Sequence, residues 1–289
     1  MKTVLVIGSL NMDYVLYCDS FPRPGETIEA KERIIRPGGK GANQAAAIAK
    51  SKLAHAVMLG SIGNDNDGRL LRDTLIGAGV EPEFQLSGKP TGTATILVNK
   101  DGENEILIDH GANACLTEIP ESLIEQCDCV LFQNEVPLET VRKAMEFAKS
   151  KGKPIAYNPA PAIKGGEACI RICDIVIVNE AELAAYGKTG NIDCDMDALL
   201  SLGPKGVIVT LGEKGSIYKG VSGRFVQKAY PAKAIDTVGA GDTYVGYFLA
   251  ALLNCNSVPK AMDIASKASA IAVTRKGSIE AIPFGDELE

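Results

Sequence analysis

Short apolar runs rich in Val and Ile alternate along this chain with longer stretches of helical periodicity, and this restricts its possible folds more than any other feature. The runs at 3–9, 56–62, 129–133, 154–158, 175–179 and 207–211 are short and β-branched, which predicts buried strands rather than helix fragments. Helices are predicted between them at 42–50, 67–76, 138–151, 180–186, 242–253 and 259–274. A chain that alternates in this way forms a mostly parallel central sheet between helices, because each strand must return over one face before it pairs again. Two stretches break the rhythm. Within 12–37 and 90–110, segments such as TATILVN and EILIDH alternate residue by residue around a turn at Lys100-Asp101-Gly102. These predict a small antiparallel β lid outside the main sheet. With 289 residues, 46% of them hydrophobic, the chain can bury the core of a single α/β domain over 1–289 without staples, and no repeat or linker divides it.

Charge and composition exclude several function classes. A formal net charge of -6 argues against nucleic acid and anionic membrane as partners, since both select basic surfaces. No apolar run approaches the ~20 residues that span a bilayer. The opening TVLVIGS is short and is followed at once by Asn11 and Asp13, so it is expected to be the first buried strand rather than a leader. Eight cysteines include a C-x-C at Cys127 and Cys129 and a C-x3-C at Cys169 and Cys173, with only His55 and His110 to assist a metal. The neighbours in CVLF and CDIVIV make these cysteines small core hydrophobes, and reduced thiols fit a cytoplasmic protein.

Polar residues recur where the predicted strands end. The first strand runs towards Asn11 and Asp13, another into Asn134 and Glu135, and others end at Asn158, at Asn179 with Glu182 one turn on, and at Thr210-Leu211-Gly212. Any one of them serves as a turn former or N-cap. In an open α/β sheet they share the carboxyl edge, where ligands bind, and there they line one cleft.

Two glycine-rich segments add chemistry. Pro37-Gly38-Gly39-Lys40-Gly41-Ala42-Asn43-Gln44 leads into the alanine-rich AAAIAK, so backbone and helix can approach a ligand closely, while Lys40 and Asn43 supply hydrogen bonds. The spacing is not that of a P-loop, and no G-x-G-x-x-G follows the first strand, which disfavours a dinucleotide enzyme. The second segment, Asp236-Thr237-Val238-Gly239-Ala240-Gly241-Asp242-Thr243, stands at the start of a helix with an apolar stripe at Val245, Leu249 and Leu252. Free amides there stabilise an anion. A carboxylate at that point repels phosphate but suits a base that deprotonates an attacking hydroxyl while the amides hold the transferring phosphoryl. Asp242 as a plain N-cap is the competing reading.

These segments, with GSLNMD (8–13), FPRPGET (21–27), GANA (111–114), NPAPA (158–162), NEAE (179–182), TLGEKG (210–215) and AVTRKGS (272–278), identify a resemblance to the ribokinase family of the ribokinase-like carbohydrate kinase superfamily over almost the whole chain. The resemblance implies ATP-dependent phosphorylation of D-ribose at its 5-hydroxyl, with Asp242 as base and Gly239, Ala240 and Gly241 as the anion hole. Asn11, Met12, Asp13, Gly39, Lys40, Gly41, Ala42, Asn43 and Glu135, with Asp242, are implied to surround the sugar. Asn179, Glu182, Thr210, Leu211, Gly212, Glu213, Lys214, Gly215, Gly241 and Ser266 are implied to contact ATP, with Asn179 and Glu182 organising Mg2+. It also implies activation by K+ held near Asp236, Val238, Ala272, Arg275 and Gly277, and a homodimer formed through the lid. One position departs from the pattern: Ala281 stands where a side-chain hydroxyl would reach that cation. The alternatives are a superfamily kinase for deoxyribose, fructose, a sugar acid or a nucleoside, and a catalytically silent sugar-binding protein; the latter is disfavoured by the presence of Asp242 and Gly241.

Overall fold

The computed structural model describes residues 1–288. In chain order the strands are β1 (Thr3–Ile7), β2 (Asn11–Tyr17), β3 (Glu32–Gly38), β4 (His55–Gly63), β5 (Glu81–Ser87), β6 (Gly92–Val98) and β7 (Asn104–Asp109). They continue with β8 (Cys129–Phe132), β9 (Ile155–Tyr157), β10 (Ile175–Asn179), β11 (Gly206–Thr210), β12 (Ser216–Gly220) and β13 (Gly223–Gln227). Nine of them form the main sheet in the order β13-β12-β11-β10-β9-β8-β1-β4-β5, parallel except at the β12–β13 edge, and β3-β2-β6-β7 form a separate small sheet.

Alternation along the strands builds two cores. Val4 and Val6 of β1, Ile177 of β10 and Ile208 of β11 face one core, with the helices Lys40–Ser51, Ala240–Cys255 and Val258–Ala272. Leu5 and Ile7, Val176 and Val178, and Val207 and Val209 face the other, beneath Leu138–Ser150, Glu180–Gly187 and Ile192–Ser201. Both faces are covered, so the strands read as continuous apolar runs. Cys127, Cys129, Cys169 and Cys173 are buried in the second core or, for Cys129, the first, and burial raises all four thiols above their ordinary range. Among the described residues no helix is long and apolar enough to cross a membrane.

Parallel register puts the strand ends level. Ile7 pairs with Phe132, Phe132 with Tyr157, and Asn179 with Thr210, so the polar residues after these strands stand along one edge. The lid sheet roots at that edge: Asn11 and Asp13 begin β2, opposite Gly38 and Arg36 of β3.

Several elements go beyond the sequence reading. The edge strands β5 and β13, and β12 beside β13, were not among the predicted runs, because strands at the margin of the sheet carry polar residues and lack a double apolar face. Helix Ile192–Ser201 is acidic on its solvent side and is capped by Asn191, whose side chain accepts from Cys194 N. The lid is antiparallel at both outer pairs, β2–β3 and β6–β7, and parallel at its central pair β2–β6. The helix expected at 242–253 begins at Ala240 with Gly239 as its N-cap, so Asp242 lies inside the first turn and makes no cap bond. Likewise the helix expected at 42–50 starts at Lys40.

Small residues let the helices Lys40–Ser51 and Ala240–Cys255 meet closely. A Cβ on Gly246 would lie 2.5 Å from Ala47 Cβ and 2.7 Å from Gln44 O, both of which sit in a packed interior with no room to retreat. Gly246→Val is therefore expected to destabilise the protein by about 1–3 kcal/mol, read as a lower urea midpoint with an unchanged slope. An unchanged midpoint would show that the helix contact yields.

Candidate active site

The two glycine-rich segments converge at the carboxyl edge. Gly39 caps helix Lys40–Ser51 at a φ of 91°, and a Cβ there would lie 2.9 Å from Asn11 N and 3.0 Å from Ser9 O. Gly41 meets the same backbone, 2.7 Å from Gly8 C and from Ser9 N. Only glycine permits this approach, and it seats the helix on the end of β1, where Ala42 N donates to Ser9 O at 3.0 Å. Gly239, at a φ of 74°, turns the second segment into helix Ala240–Cys255.

Asp242 is held where the two helices meet. Its carboxylate accepts from Asn43 Nδ2 at 2.9 Å and from Gln44 Nε2 at 2.8 Å. Gln44 is buried and itself fixed: its Oε1 accepts from Gln133 Nε2 at 2.7 Å and its Nε2 also donates to Asn158 Oδ1 at 2.9 Å. Two neutral amides orient the carboxylate without giving it a proton, which suits a base. Asp242's charge, working against burial, raises the pKa of Lys40 and keeps its ammonium charged. Of the first-turn amides, Ala240 N reaches Thr237 O at 3.3 Å, so it is partly engaged, whereas Gly241 N has no protein acceptor among the described residues.

The polar group around Asp242 continues onto the lid root. Asn113 Nδ2 donates to Asn11 Oδ1 at 2.8 Å while Asn113 Oδ1 accepts from Leu10 N at 2.9 Å, which fixes the Asn11 amide. Glu135 Oε2 accepts from Ser9 Oγ and from Lys40 N, the latter at 3.1 Å. Asn43 Oδ1 is buried without a partner among the described residues, so one half of this amide grips Asp242 and the other remains open to a donor. Burial, then the charges of Glu135 and Asp242, push the Asp13 carboxyl up to about 7, with Arg36 opposing them. Met12 and Ala42 turn their side chains into the core, leaving only backbone for a ligand.

Beyond Asp242 lies space for a larger ligand. A cavity of about 1070 Å³ is lined by Asn179, Thr210, Gly212, Glu213, Gly215, Gly241 and Ser266, with Tyr230 and Tyr244. A smaller one of about 220 Å³ adjoins it through Asn179, Thr210 and Gly241, and is bordered by Lys40, Glu182 and Asp242. Leu211 and Lys214 do not line either: Leu211 packs on the second core and Lys214 points outward towards Glu180. Asn179 and Glu182 form a capping box, Asn179 Oδ1 accepting from Glu182 N at 2.8 Å and Glu182 Oε2 from Asn179 N at 2.9 Å.

The residues expected around a monovalent cation also come together. Asp236 N donates to Val273 O, its Oδ1 accepts from Val238 N at 3.0 Å, and its Oδ2 accepts from Gly277 N at 3.1 Å. Ala272 accepts from Arg275 N, and the Arg275 side chain turns away to Glu287. Sequence reasoning missed Arg36, whose Nη1 stands 3.3 Å from Asp236 Oδ2. It also missed Ser9, Gln44, Asn113 and Gln133. Gln44 and Asn113 lie within the motifs and were legible there; nothing local distinguishes Arg36.

A small polar cavity bordered by a carboxylate and joined to a large one at a glycine-rich helix start is the arrangement of a phosphoryl-transfer enzyme with a small hydroxylated acceptor. The model of the pfkB family carbohydrate kinases matches residues 1–284, and the chain belongs to that family of ATP-dependent carbohydrate kinases. It is 36% identical over 297 residues to a ribokinase of Haemophilus influenzae, covering 99% of this chain and 97% of that one. Among solved structures it superposes on a ribokinase of Thermotoga maritima with a TM-score of 0.93 at 34% identity, covering 100% of this chain and 98% of that one. A ribokinase of Arabidopsis thaliana complexed with ribose and ATP gives a TM-score of 0.92 at 30% identity, covering 99% and 97%.

The raised Asp13 pKa has a consequence for stability. Between an unfolded value near 3.8 and about 7, the folded protein binds a proton at Asp13 that the unfolded chain releases, so stability falls as pH rises through that window. Urea unfolding of the ligand-free protein is expected to show a loss between pH 5 and pH 8 that is smaller in Asp13→Asn, by roughly 2–4 kcal/mol. Equal losses in both proteins would remove Asp13 from this account.

Proposed function

We propose that this enzyme phosphorylates D-ribose at the 5-hydroxyl, using ATP. The observation that carries the reading is the Asp242 carboxylate, held by Asn43 and Gln44 at the border of a small polar cavity that adjoins a large one through Gly241. Asn11, Asp13, Lys40, Asn43 and Glu135 present carboxylates, amides and an ammonium that match a small ligand rich in hydroxyls. The open Asn43 Oδ1 accepts from one such hydroxyl. Asp242 removes the proton of the 5-hydroxyl as the hydroxyl oxygen attacks the terminal phosphorus, and the bond from that phosphorus to the bridging oxygen breaks to release ADP. The Gly241 amide, with Gly239 and the engaged Ala240 beside it, stabilises charge on the transferring phosphoryl. Lys40, charged and adjacent, adds to that stabilisation.

ATP occupies the larger cavity, its base towards Tyr230 and Ser266 and its phosphates towards Gly241. Magnesium accompanies it and supplies charge neutralisation at the phosphates. Glu182, the carboxylate bordering the smaller cavity, and Asn179 suit its hydrated shell. A monovalent cation beside Asp236 is the expectation that these residues fit least. Arg36 already stands on that carboxylate, and Ala281 offers no side-chain oxygen. Ile106 and Leu107 on the outer lid strand are 55% and 74% exposed, and this apolar strip supports a homodimer through the lid of a cytoplasmic enzyme.

Asp242→Asn should keep sugar and ATP binding and lower kcat by ~10²–10⁴-fold, as for loss of a general base. Stopped kinetics beside calorimetric titration separate the two effects, and near-normal turnover excludes Asp242 as the base. In a coupled ADP-release assay over ribose, 2-deoxyribose, fructose and adenosine, ribose should have the highest kcat/KM, because polar groups left unpaired reject a substrate lacking a hydroxyl. A higher value for any other sugar would overturn the substrate while leaving the family intact.

A further inference from the structure

Arg36 is a cation beside the site whose position none of the roles above explains. It lies on β3 of the lid, opposite Asp13 on β2, and its guanidinium reaches across 200 residues of sequence to Asp236. The pair is largely shielded, with side-chain exposures of 15% and 20%. A Cβ on Gly277 would sit 3.8 Å from Arg36 Nη1 and 3.0 Å from Glu280 Oε2, so Glu280 approaches the same spot. Asp13 feels both the Arg36 charge, which lowers its pKa, and the Glu280 charge, which raises it. The guanidinium therefore pairs with Asp236 in the neighbourhood of two further carboxylates, Asp13 and Glu280.

Asp236 organises the loop that leads into the anion hole. Its two oxygens hold Val238 N at 3.0 Å and Gly277 N at 3.1 Å, and Gly239 begins the turn one residue after Val238. Uncompensated, this carboxylate would sit half-buried beside two others and repel the phosphoryl group on the far side of the turn. Something positive must stand there. A large monovalent cation would need Asp236 and several further oxygens, and buried Ala281 adds no side-chain oxygen to the backbone carbonyls there. Adding such an ion to Asp236 would also bring it against the guanidinium, charge upon like charge.

We infer that Arg36 is the resident cation of this site: a positioning residue whose guanidinium holds Asp236, and through it the Val238–Gly241 turn, so that the enzyme turns over without a monovalent cation. A guanidinium suits the task because it stays charged at all working pH values and orients on a carboxylate through a planar fork. The assignment rests on the kinase reading for its rate measurements, but not for its stability measurement.

The test compares wild type, Arg36→Ala and the double variant Arg36→Ala/Ala281→Ser, each in potassium chloride and in tetramethylammonium chloride at equal ionic strength, with ribose, ATP and magnesium fixed. Wild type should show turnover within about twofold in the two salts. Arg36→Ala should lose about 10- to 100-fold in kcat in tetramethylammonium, the scale of a misplaced catalytic group, and recover with potassium. The double variant should recover at lower potassium, because the serine hydroxyl adds an oxygen ligand. Independently of turnover, potassium should raise the Tm of Arg36→Ala and leave that of wild type unmoved. A tenfold or greater potassium activation of wild type would overturn the assignment. So would an Arg36→Ala enzyme with full turnover in tetramethylammonium, or one whose turnover and Tm ignore potassium, which would make Arg36 a purely structural link. Should Arg36→Ala fail to fold, Arg36→Met, which keeps the apolar stem, takes its place, and the wild-type salt comparison still decides. If no sugar supports ADP release in either salt, the kinase reading has failed, and the Tm comparison alone judges Arg36.

Discussion

Two side-chain amides on one helix grip a carboxylate on another, and most of the site's geometry follows from that contact. Asn43 and Gln44 can reach Asp242 only because Gly246 and Ala47 let the helices Lys40–Ser51 and Ala240–Cys255 approach almost to backbone contact. Gln44 cannot swing away, because Gln133 and Asn158, each just past the end of a parallel strand, hold it from behind. The sheet edge thus sets Gln44, Gln44 and Asn43 set Asp242, and Asp242 borders the smaller of the two cavities, next to the Gly241 at which they meet. Placing buried polar groups in a fully connected network costs desolvation, but once connected it specifies one arrangement over its neighbours.

Charge is managed over a wider radius. Asp13, Glu135 and Asp242 lie close enough to raise the pKa of Asp13, and Lys40 and Arg36 stand on opposite sides of the group. Each cation has a separate task. Lys40 faces the smaller cavity beside Asp242, whereas Arg36 is turned away from it towards Asp236. The lid therefore contributes more than a cover, since its strands carry Asn11, Asp13 and Arg36 to the body of the enzyme.

Much of this was legible in the chain. The buried strands were readable because a strand covered on both faces has no polar positions, as in IVIVN at β10 and GVIVT at β11. Glycine segments were readable as ligand loops because glycine takes positive φ, as at Gly39 and Gly239, with the least strain. The edge strands β5 and β13, and β12 next to the edge, were not, since strands at the sheet margin are less covered and keep polar residues. Leu211 and Lys214 shared a motif with true cavity residues, but adjacency in a 3₁₀ turn points neighbouring side chains in different directions.

By itself the sequence determined the layered α/β architecture, the edge at which ligands gather and the identity of the carboxylate at the helix start, because periodicity and glycine placement are local properties. It could not determine whether Asp242 caps its helix or is offered to a ligand; that depended on Gly239 taking the cap and on Asn43 and Gln44 arriving 199 and 198 residues away in sequence. Nor could it show that Arg36 meets Asp236. A charged residue on a lid strand has no periodic or motif signature, and its partner is chosen only when the lid folds onto the loop before the anion hole, bringing opposite charges together out of water.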